Sequence, residues 1–446
     1  MSFSVAAFTL GCKVNQYDTD AILQDFAALG FTVCDFDADV TDGPPTDVYI
    51  INTCTVTNIS EKKSRQMINR ACKKNPQALI VAYGCYAQVE PELLQNLPGV
   101  SMVLGTQDKH QIAELVAARL NEIKATGLGL KETGDLKAVT PYQTKPTRTR
   151  AYLKVQDGCD RYCSYCIVPY ARGGVKSRTI AEVAAEAELL VKSGCKEIVI
   201  TGIQIASYGN DLNNTDNLVA LIKCIHDIPG LERLRLGSLE PNIINEGFLL
   251  TLCPLPKLCD HFHLSLQSGC DRTLKGMNRR YTTGQFAKAA ADVRSYFPNG
   301  ALTTDIIVGF PGETEEDFAE SLSFVQKIGF FRIHVFAYSP RAGTPAADFP
   351  NQVEQVIKEQ RSRTMRKLAE KMNQDFYQRY LGQVLPVLFE SKIKKGLWEG
   401  HTSQYLTVRV AAEEDLSNRI VTVMLKSIQD GAAYGVLHDN HIKGGY

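Results

Sequence analysis

Along the first quarter of the chain, short runs of β-branched and apolar residues alternate with segments whose apolar positions recur every three to four residues. The runs at 4–10, 47–52, 78–83 and 100–104 predict strands, and the periodic stretches near 18–29, 59–74 and 108–120 predict helices. Such alternation builds a doubly wound parallel sheet. Across 124–150 the pattern dissolves into Gly, Thr, Pro, Lys and Arg, the make-up of a linker. It then resumes six times, with strands expected at 152–156, 197–201, 233–238, 261–266, 303–308 and 334–337, each flanked by a helical segment. Six βα units are too few for the eight-unit barrel, so a partial, open (βα)6 barrel is the expectation. After Pro350 a long polar helix reaches Tyr380, and short runs at 384–389, 405–410 and 419–425 predict a small antiparallel β-barrel. The α/β chain should therefore divide into residues 1–123, a linker at 124–150, a barrel core at 151–381 and a terminal domain at 382–446.

Composition narrows the class. Hydrophobic residues at 44% against 22% charged describe a globular protein, and 49 basic residues balance 49 acidic ones, so overall charge does not announce a polyanion partner. No apolar run is long enough to span a bilayer. Phe8-Thr9-Leu10-Gly11-Cys12 faintly resembles a lipoprotein cleavage site, but nothing basic precedes it, and it reads as a strand entering a loop. Thirteen cysteines without an export signal point to the reducing cytoplasm, where thiols bind metals or pack.

Cys159, Cys163 and Cys166 form Cys-x3-Cys-x2-Cys directly after the first barrel strand, where βα barrels carry their chemistry. Three thiolates can hold three irons of a four-iron cluster and leave the fourth open to a ligand. A closed zinc site is the alternative; it wants four ligands, and no further Cys or His follows nearby before Cys195. With Tyr165 just before the third cysteine, the motif resembles that of the radical S-adenosylmethionine (SAM) superfamily. The resemblance implies that the open iron chelates SAM, whose reductive cleavage supplies a radical. It also implies that SAM lies at the carboxyl ends of the barrel strands. Thr201, Gly202, Gln204, Ser238, Glu240, Gln267 with Ser268, and Asp305 are the polar candidates there, although each alone could be a cap or turn residue.

Cys12, Cys54 and Cys85 are distant in sequence, yet each follows an expected parallel strand, two of them behind Gly11 and Gly84. Ligands of open α/β sheets gather outside those strand ends, so the three thiols should converge into a second cluster site rather than pack separately. The other seven cysteines, at 34, 72, 195, 224, 253, 259 and 270, show no such pattern and are assigned to packing.

The contexts Thr9-Leu10-Gly11-Cys12-Lys13-Val14-Asn15-Gln16-Tyr17, Asn52-Thr53-Cys54-Thr55-Val56-Thr57 and Gly84-Cys85 are similar to the amino-terminal domain of the methylthiotransferases. Val168-Pro169-Tyr170-Ala171-Arg172-Gly173, His263-Leu264-Ser265-Leu266-Gln267-Ser268-Gly269-Cys270, Met277-Asn278-Arg279-Arg280-Tyr281-Thr282, the block 304–314 and the stretch 338–344 extend the likeness over nearly the whole chain. Gly-Cys-Lys-Val-Asn and Ser-Leu-Gln-Ser-Gly-Cys look most like the branch acting on threonylcarbamoyl-adenosine beside the anticodon. What this resemblance implies is two [4Fe-4S] clusters, SAM used both as methyl donor and as radical source, a transfer RNA substrate, a reducing electron donor and a sulfur source. The terminal segment after Gly382 resembles a TRAM domain, a small RNA-binding β-barrel.

Local charge agrees with an RNA partner: eight basic residues face two acids over 145–178, and seven face three over 358–379. Lys392, Lys394, Lys395 and Trp398 fall in an expected loop of the terminal domain, where they could meet phosphate and a base, although Trp398 could equally be core. Two other readings stand beside the leading one. The chain could act on isopentenyl-adenosine or a ribosomal-protein aspartate, or it could be a non-enzymatic metal-binding RNA-binding protein.

Overall fold

A computed structural model describes residues 3–37, 46–125, 149–212, 216–394 and 396–438, and the chain packs as two compact units. Most of the expected linker, residues 126–148, lies outside the described residues.

The first unit comprises residues 1–145, 157–174 and 339–344. Its sheet contains β1 (Ser4–Thr9), β2 (Thr32–Cys34), β3 (Val48–Thr53), β4 (Leu79–Gly84) and β5 (Val100–Leu104), in the order β2-β1-β3-β4-β5. All four pairings are parallel. Every residue of β3 and β4 is buried, because both faces are covered. On one face Val5, Ile50 and Val81 pack with Ile22 and Phe26 of helix Lys13–Ala28 and with Val116 and Leu120 of helix Ile112–Ala125. On the other face Ala6, Ile51 and Ala82 meet Ile68 and Ala71 of helix Asn58–Lys74. The doubly wound expectation holds, and the order reverses between β1 and β3, where such sheets bind ligands. Strand β2 escaped the pattern because it has three residues. The first helix begins at Lys13, earlier than its apolar period suggests, because Asn15 and Asp18 in its first turns are buried polar residues.

The second unit holds residues 146–156, 175–338 and 345–446. It contains β6 (Arg150–Asp157, the last residue belonging to the first unit), β7 (Lys176–Ser177), β8 (Glu197–Gly202), β9 (Arg233–Leu236), β10 (Ser238–Leu239), β11 (His261–Leu264), β12 (Ala301–Val308) and β13 (Arg332–Ala337). They form two sheets, β7-β6-β8-β9 and β10-β11-β12-β13. The strand expected at 233–238 is thus broken at Gly237, where a side chain would press on the Ile200 carbonyl at 2.8 Å. With β9 and β10 counted as one interrupted strand, the six-unit partial barrel is present.

Alternation sorts these strands into two faces. Leu153, Ile198, Ile200, Leu234, Leu236, Phe262, Leu264, Leu302 and Ile306 form the apolar layer under the helices. Register sets Lys154 beside Thr201, Glu197 beside Arg233, His263 beside Thr303 and Asp305 beside His334 on the other, polar face.

After helix Gln355–Gln378 come β14 (Val384–Lys394), β15 (Leu397–Thr402), β16 (Thr407–Ala411), β17 (Ile420–Gln429) and β18 (Ala432–Leu437), closed in the order β14-β15-β16-β18-β17. Four pairings are antiparallel, as the sequence suggests, while β16 and β18 run parallel where the barrel closes. Closure leaves no open edge. The barrel joins the same compact unit as the βα strands, so the expected boundary at 381–382 does not separate two compact bodies. The reason is a buried charge cluster. Arg235 donates to Glu197 at 2.7 Å and to the carbonyls of Ser403 at 2.8 Å and Thr402 at 3.2 Å, and Arg233 donates to those of His401 and Pro386 at 2.8 Å each. Tyr405 stacks on His401 and accepts the guanidinium of Arg235 over its ring at 4.7 Å. Burial opposes the charge of Glu197, yet Arg235, aided by Arg150 and Arg233, holds its carboxyl below the usual range.

Replacing Arg235 with Met should leave Glu197 buried with weaker compensation and cost about 3–5 kcal/mol of stability, measured by denaturant unfolding. Because the native carboxyl binds its proton more weakly than the ordinary value of 4.5, its contribution is complete above that pH and is lost as pH falls through the depressed native value. The difference between wild type and Arg235→Met should therefore shrink in acid.

Candidate active site

Cys12 follows β1 after Leu10 and Gly11, Cys54 directly follows β3, and Cys85 directly follows β4 as the first residue of helix Cys85–Val89. Gly11 and Gly84 both adopt φ of +106°. A Cβ on Gly11 would lie 3.0 Å from the Cys54 Sγ, and one on Gly84 would lie 2.5 Å from Asn52 Oδ1, so only glycine lets the loops approach here. Burial pushes the Cys54 thiol up to about 11, and the neighbouring Cys85 and Cys12 add to the rise. Burial likewise raises Cys85, while Arg172 pulls it back. The three thiols share one neighbourhood, and none is in a disulfide.

Cys159, Cys163 and Cys166 lie in segment 157–174 of the same compact unit. Cys163 is buried, while Cys159, Cys166 and Tyr165 are half-buried. The loop is closed by the Cys159 amide on the Gly173 carbonyl at 3.0 Å and turned by the Cys166 amide on that of Cys163 at 3.0 Å. Tyr162 takes the left-handed conformation at φ 47°. A side chain at Gly158 would fall 1.9 Å from the Gly174 carbonyl, which makes glycine obligatory there.

Helix Val168–Arg172 then delivers Arg172 into the first unit's interior. Its Nε donates to Cys85 Sγ at 3.3 Å, and its terminal nitrogens reach Asp157 at 2.9 Å, Asp18 at 3.4 Å and Asn15 Oδ1 at 2.5 Å. Lys109 adds contacts to Asp157 at 3.3 Å and Asp18 at 3.5 Å. Burial works against the guanidinium, and Cys85, Asp157 and Asp18 hold it protonated. The neighbouring Ala171 carbonyl accepts from Thr106 at 2.7 Å. On the other side of Cys54, Arg341 donates to the Thr55 carbonyl at 3.1 Å and pairs with Glu61. Sequence reasoning quoted the segments containing Arg172 and Arg341 but gave neither residue a role. An arginine in an otherwise apolar short helix was the available signal for the first.

Among the candidates for SAM contact, Thr201 and Gly202 end β8, and Gln204 follows with its amide on Gln156 Oε1 at 2.8 Å. Ser238 lies in β10, and Glu240 comes just after it, paired with Arg279 at 3.2 Å. Gln267 has φ of 69° and takes the Asp305 carbonyl at 2.9 Å. Asp305 itself lies inside β12 rather than at its end, with its carboxylate 3.2 Å from His263 Nε2. In the terminal barrel, Lys392 and Lys394 sit on β14 rather than in a loop, and Lys395 is outside the described residues. Trp398 is 4% exposed among Val408, Val410 and Phe389, with the Lys392 ammonium over its ring at 5.5 Å. Its role as a base-stacking surface is corrected: alternation along β15 turns it into the barrel core.

Residues 153–325 match the radical SAM superfamily, and residues 4–105 match a group described as uncharacterized protein family UPF0004. A Bacillus subtilis protein named threonylcarbamoyladenosine tRNA methylthiotransferase MtaB is 37% identical over 95% of this chain and 93% of its own. The chain belongs to the radical SAM methylthiotransferase family. An Acetivibrio thermocellus member named tRNA-2-methylthio-N(6)-dimethylallyladenosine synthase is 30% identical over 96% of this chain and 89% of its own. The fold resembles that of a Kitasatospora setae radical SAM methyltransferase, TsrM, with a TM-score of 0.57 at 17% identity, covering 78% of this chain and 77% of that one. Family membership makes the chain an enzyme that uses SAM and a [4Fe-4S] cluster. The donor set fits: Cys159, Cys163 and Cys166 are thiols outside any disulfide on a loop shaped by glycine, and three ligands leave one iron open. Among the described residues no helix is long and apolar enough to cross a membrane.

In the metal-free protein at pH 8, exposed Cys12 should be alkylated well before Cys54, and the gap should narrow as pH approaches 11, as followed by peptide mass spectrometry. Arg172→Met leaves buried Asp18 and half-buried Asp157 with one cation fewer and should destabilise the protein by about 3–5 kcal/mol in denaturant titrations.

Proposed function

We propose that this enzyme transfers a methylthio group to carbon 2 of N6-threonylcarbamoyladenosine next to the anticodon of transfer RNA, using two [4Fe-4S] clusters. The observation that carries this reading is Arg172. It stands six residues beyond Cys166, at the end of helix Val168–Arg172, and donates to Cys85, so the two cysteine sets are linked within one compact unit by one side chain. Two unrelated zinc or packing sites would not require that connection. The threonylcarbamoyl branch is favoured by the name and 37% identity of the Bacillus subtilis relative; the 30% identical dimethylallyladenosine synthase supplies the second reading.

Bound there, the clusters and SAM would supply the methylthio group and the radical chemistry that activates the adenine carbon. The protein's part is to hold and shield. Cys159, Cys163 and Cys166 hold the SAM-binding cluster, and Cys12, Cys54 and Cys85 hold the second one. The guanidinium of Arg172 offsets thiolate charge in a site where burial would otherwise disfavour it. Gly11 and Gly84 keep the approach to Cys54 and Cys85 clear of side chains. Thr201, Gly202, Gln204, Ser238, Glu240 and Gln267 are the candidates to orient SAM, and Lys392 and Lys394 to meet phosphate. A reducing electron donor and a sulfur source complete the reaction, for which the reducing cytoplasm is the proposed setting.

Cys163→Ala should abolish both deoxyadenosine formation and methylthiolation, whereas Cys54→Ala should still cleave SAM yet transfer nothing. Anaerobic assays on transfer RNA with and without the threonylcarbamoyl group, with iron counted in each variant, check this. Full methylthiolation and normal iron in Cys54→Ala would return the amino-terminal cysteines to packing, and equal turnover without the threonylcarbamoyl group would remove the substrate assignment.

A further inference from the structure

On the polar face of the second unit, His263, Asp305 and His334 project from three adjacent strands, and their donor atoms all lie within 4.8 Å of one another. Neither the cysteine sites nor the proposed RNA surface uses this group. We propose that it binds one divalent first-row transition-metal ion through two imidazoles and one carboxylate.

Register creates the arrangement. His263 of β11 lies opposite Thr303 of β12, and Asp305, two residues further along β12, lies opposite His334 of β13. Parallel pairing turns all of these side chains to the same face. Tetrahedral coordination with bonds of about 2.0–2.1 Å sets donor atoms about 3.3 Å apart. His263 Nε2 and Asp305 Oδ2 are already 3.2 Å apart, so two of the three ligands stand at that spacing. His334 is exposed on the sheet's edge strand, where a side-chain rotation brings its ring in.

The support behind His263 is that of a metal ligand. Its Nδ1 is 3.0 Å from Thr303 Oγ1, which is buried and in turn 3.3 Å from His261 Nε2. The tautomer that donates Nδ1–H to the threonine hydroxyl leaves Nε2 as the lone-pair donor that metal binding needs. Two imidazoles and a carboxylate suit zinc, iron, cobalt or nickel in the divalent state better than magnesium or calcium, which prefer all-oxygen shells. Three protein ligands leave coordination positions open, and His334 also lines a cleft of about 420 Å³ with Arg332, Phe336 and Arg366.

The test uses the full chain with its iron–sulfur clusters reconstituted anaerobically, so that cysteine sites are filled before cobalt(II) is added. Equilibrium dialysis should find one cobalt per chain, and cobalt-edge X-ray absorption should show nitrogen and oxygen neighbours with imidazole scattering and no sulfur. His334→Ala and Asp305→Asn should each weaken binding by at least about tenfold while retaining wild-type iron content and circular dichroism. Sulfur in the cobalt shell, no stoichiometric cobalt, or unchanged affinity in both variants would overturn the site and leave the group a hydrogen-bonded network. Because none of these readouts involves RNA modification, the result is independent of the proposed reaction.

Discussion

A guanidinium removed from water is tolerated only where fixed acceptors replace its hydration, and Arg172 meets that condition in the first unit. Asp157, Asp18 and Asn15 surround it, and the remaining edge is given to Cys85. The desolvation of so many charges is expensive, and it is balanced only if every partner stays in place. This requirement explains several otherwise separate features. It accounts for the early start of the first helix, whose Asn15 and Asp18 are buried. It also accounts for the inclusion of segment 157–174 in the amino-terminal unit although it follows a barrel strand in the chain. A loop bearing one cysteine set is thereby tied to the strand ends bearing the other.

The second unit solves a similar problem with different groups. Its parallel strands are apolar on the side facing the helices and polar on the other. Near the amino ends of β8 and β9, Glu197, Arg233 and Arg235 consume that polarity by pairing with one another and with backbone carbonyls of the terminal barrel. Further along, His263, Thr303, Asp305 and His334 form a network with a histidine exposed at its edge. Polar side chains are thus spent on assembly at one level of the strands and remain suited to ligand chemistry at another. In a methylthiotransferase this organisation combines a rigid support with a face capable of binding small groups.

Much of this organisation was legible from residue order. Strand β5 was placed at its observed bounds, β1, β3 and β4 to within a residue or so at each end, and six βα units were countable, because buried parallel strands leave contiguous apolar runs whatever their neighbours are. The metal-ligand spacing of Cys159, Cys163 and Cys166 was equally plain, since a local loop carries it whole. Cys12, Cys54 and Cys85 could be grouped because chain direction alone puts the ends of parallel strands on one side of a sheet.

What the sequence by itself determined, then, was the order of strands and helices and the identity of the thiols, both properties of local pattern and of direction. Tertiary structure alone decided which polar groups would meet: Arg172 with Cys85, Arg341 with Glu61, Arg235 with Glu197, and His263 with Asp305. It also decided that Trp398 packs inward and that β16 and β18 close the terminal barrel in parallel. A polar residue looks the same in sequence whether solvent or a distant counter-charge satisfies it. Only the register of strands and the route of the chain bring the partner, and the energy of that partnership depends on distance and burial that no local pattern records.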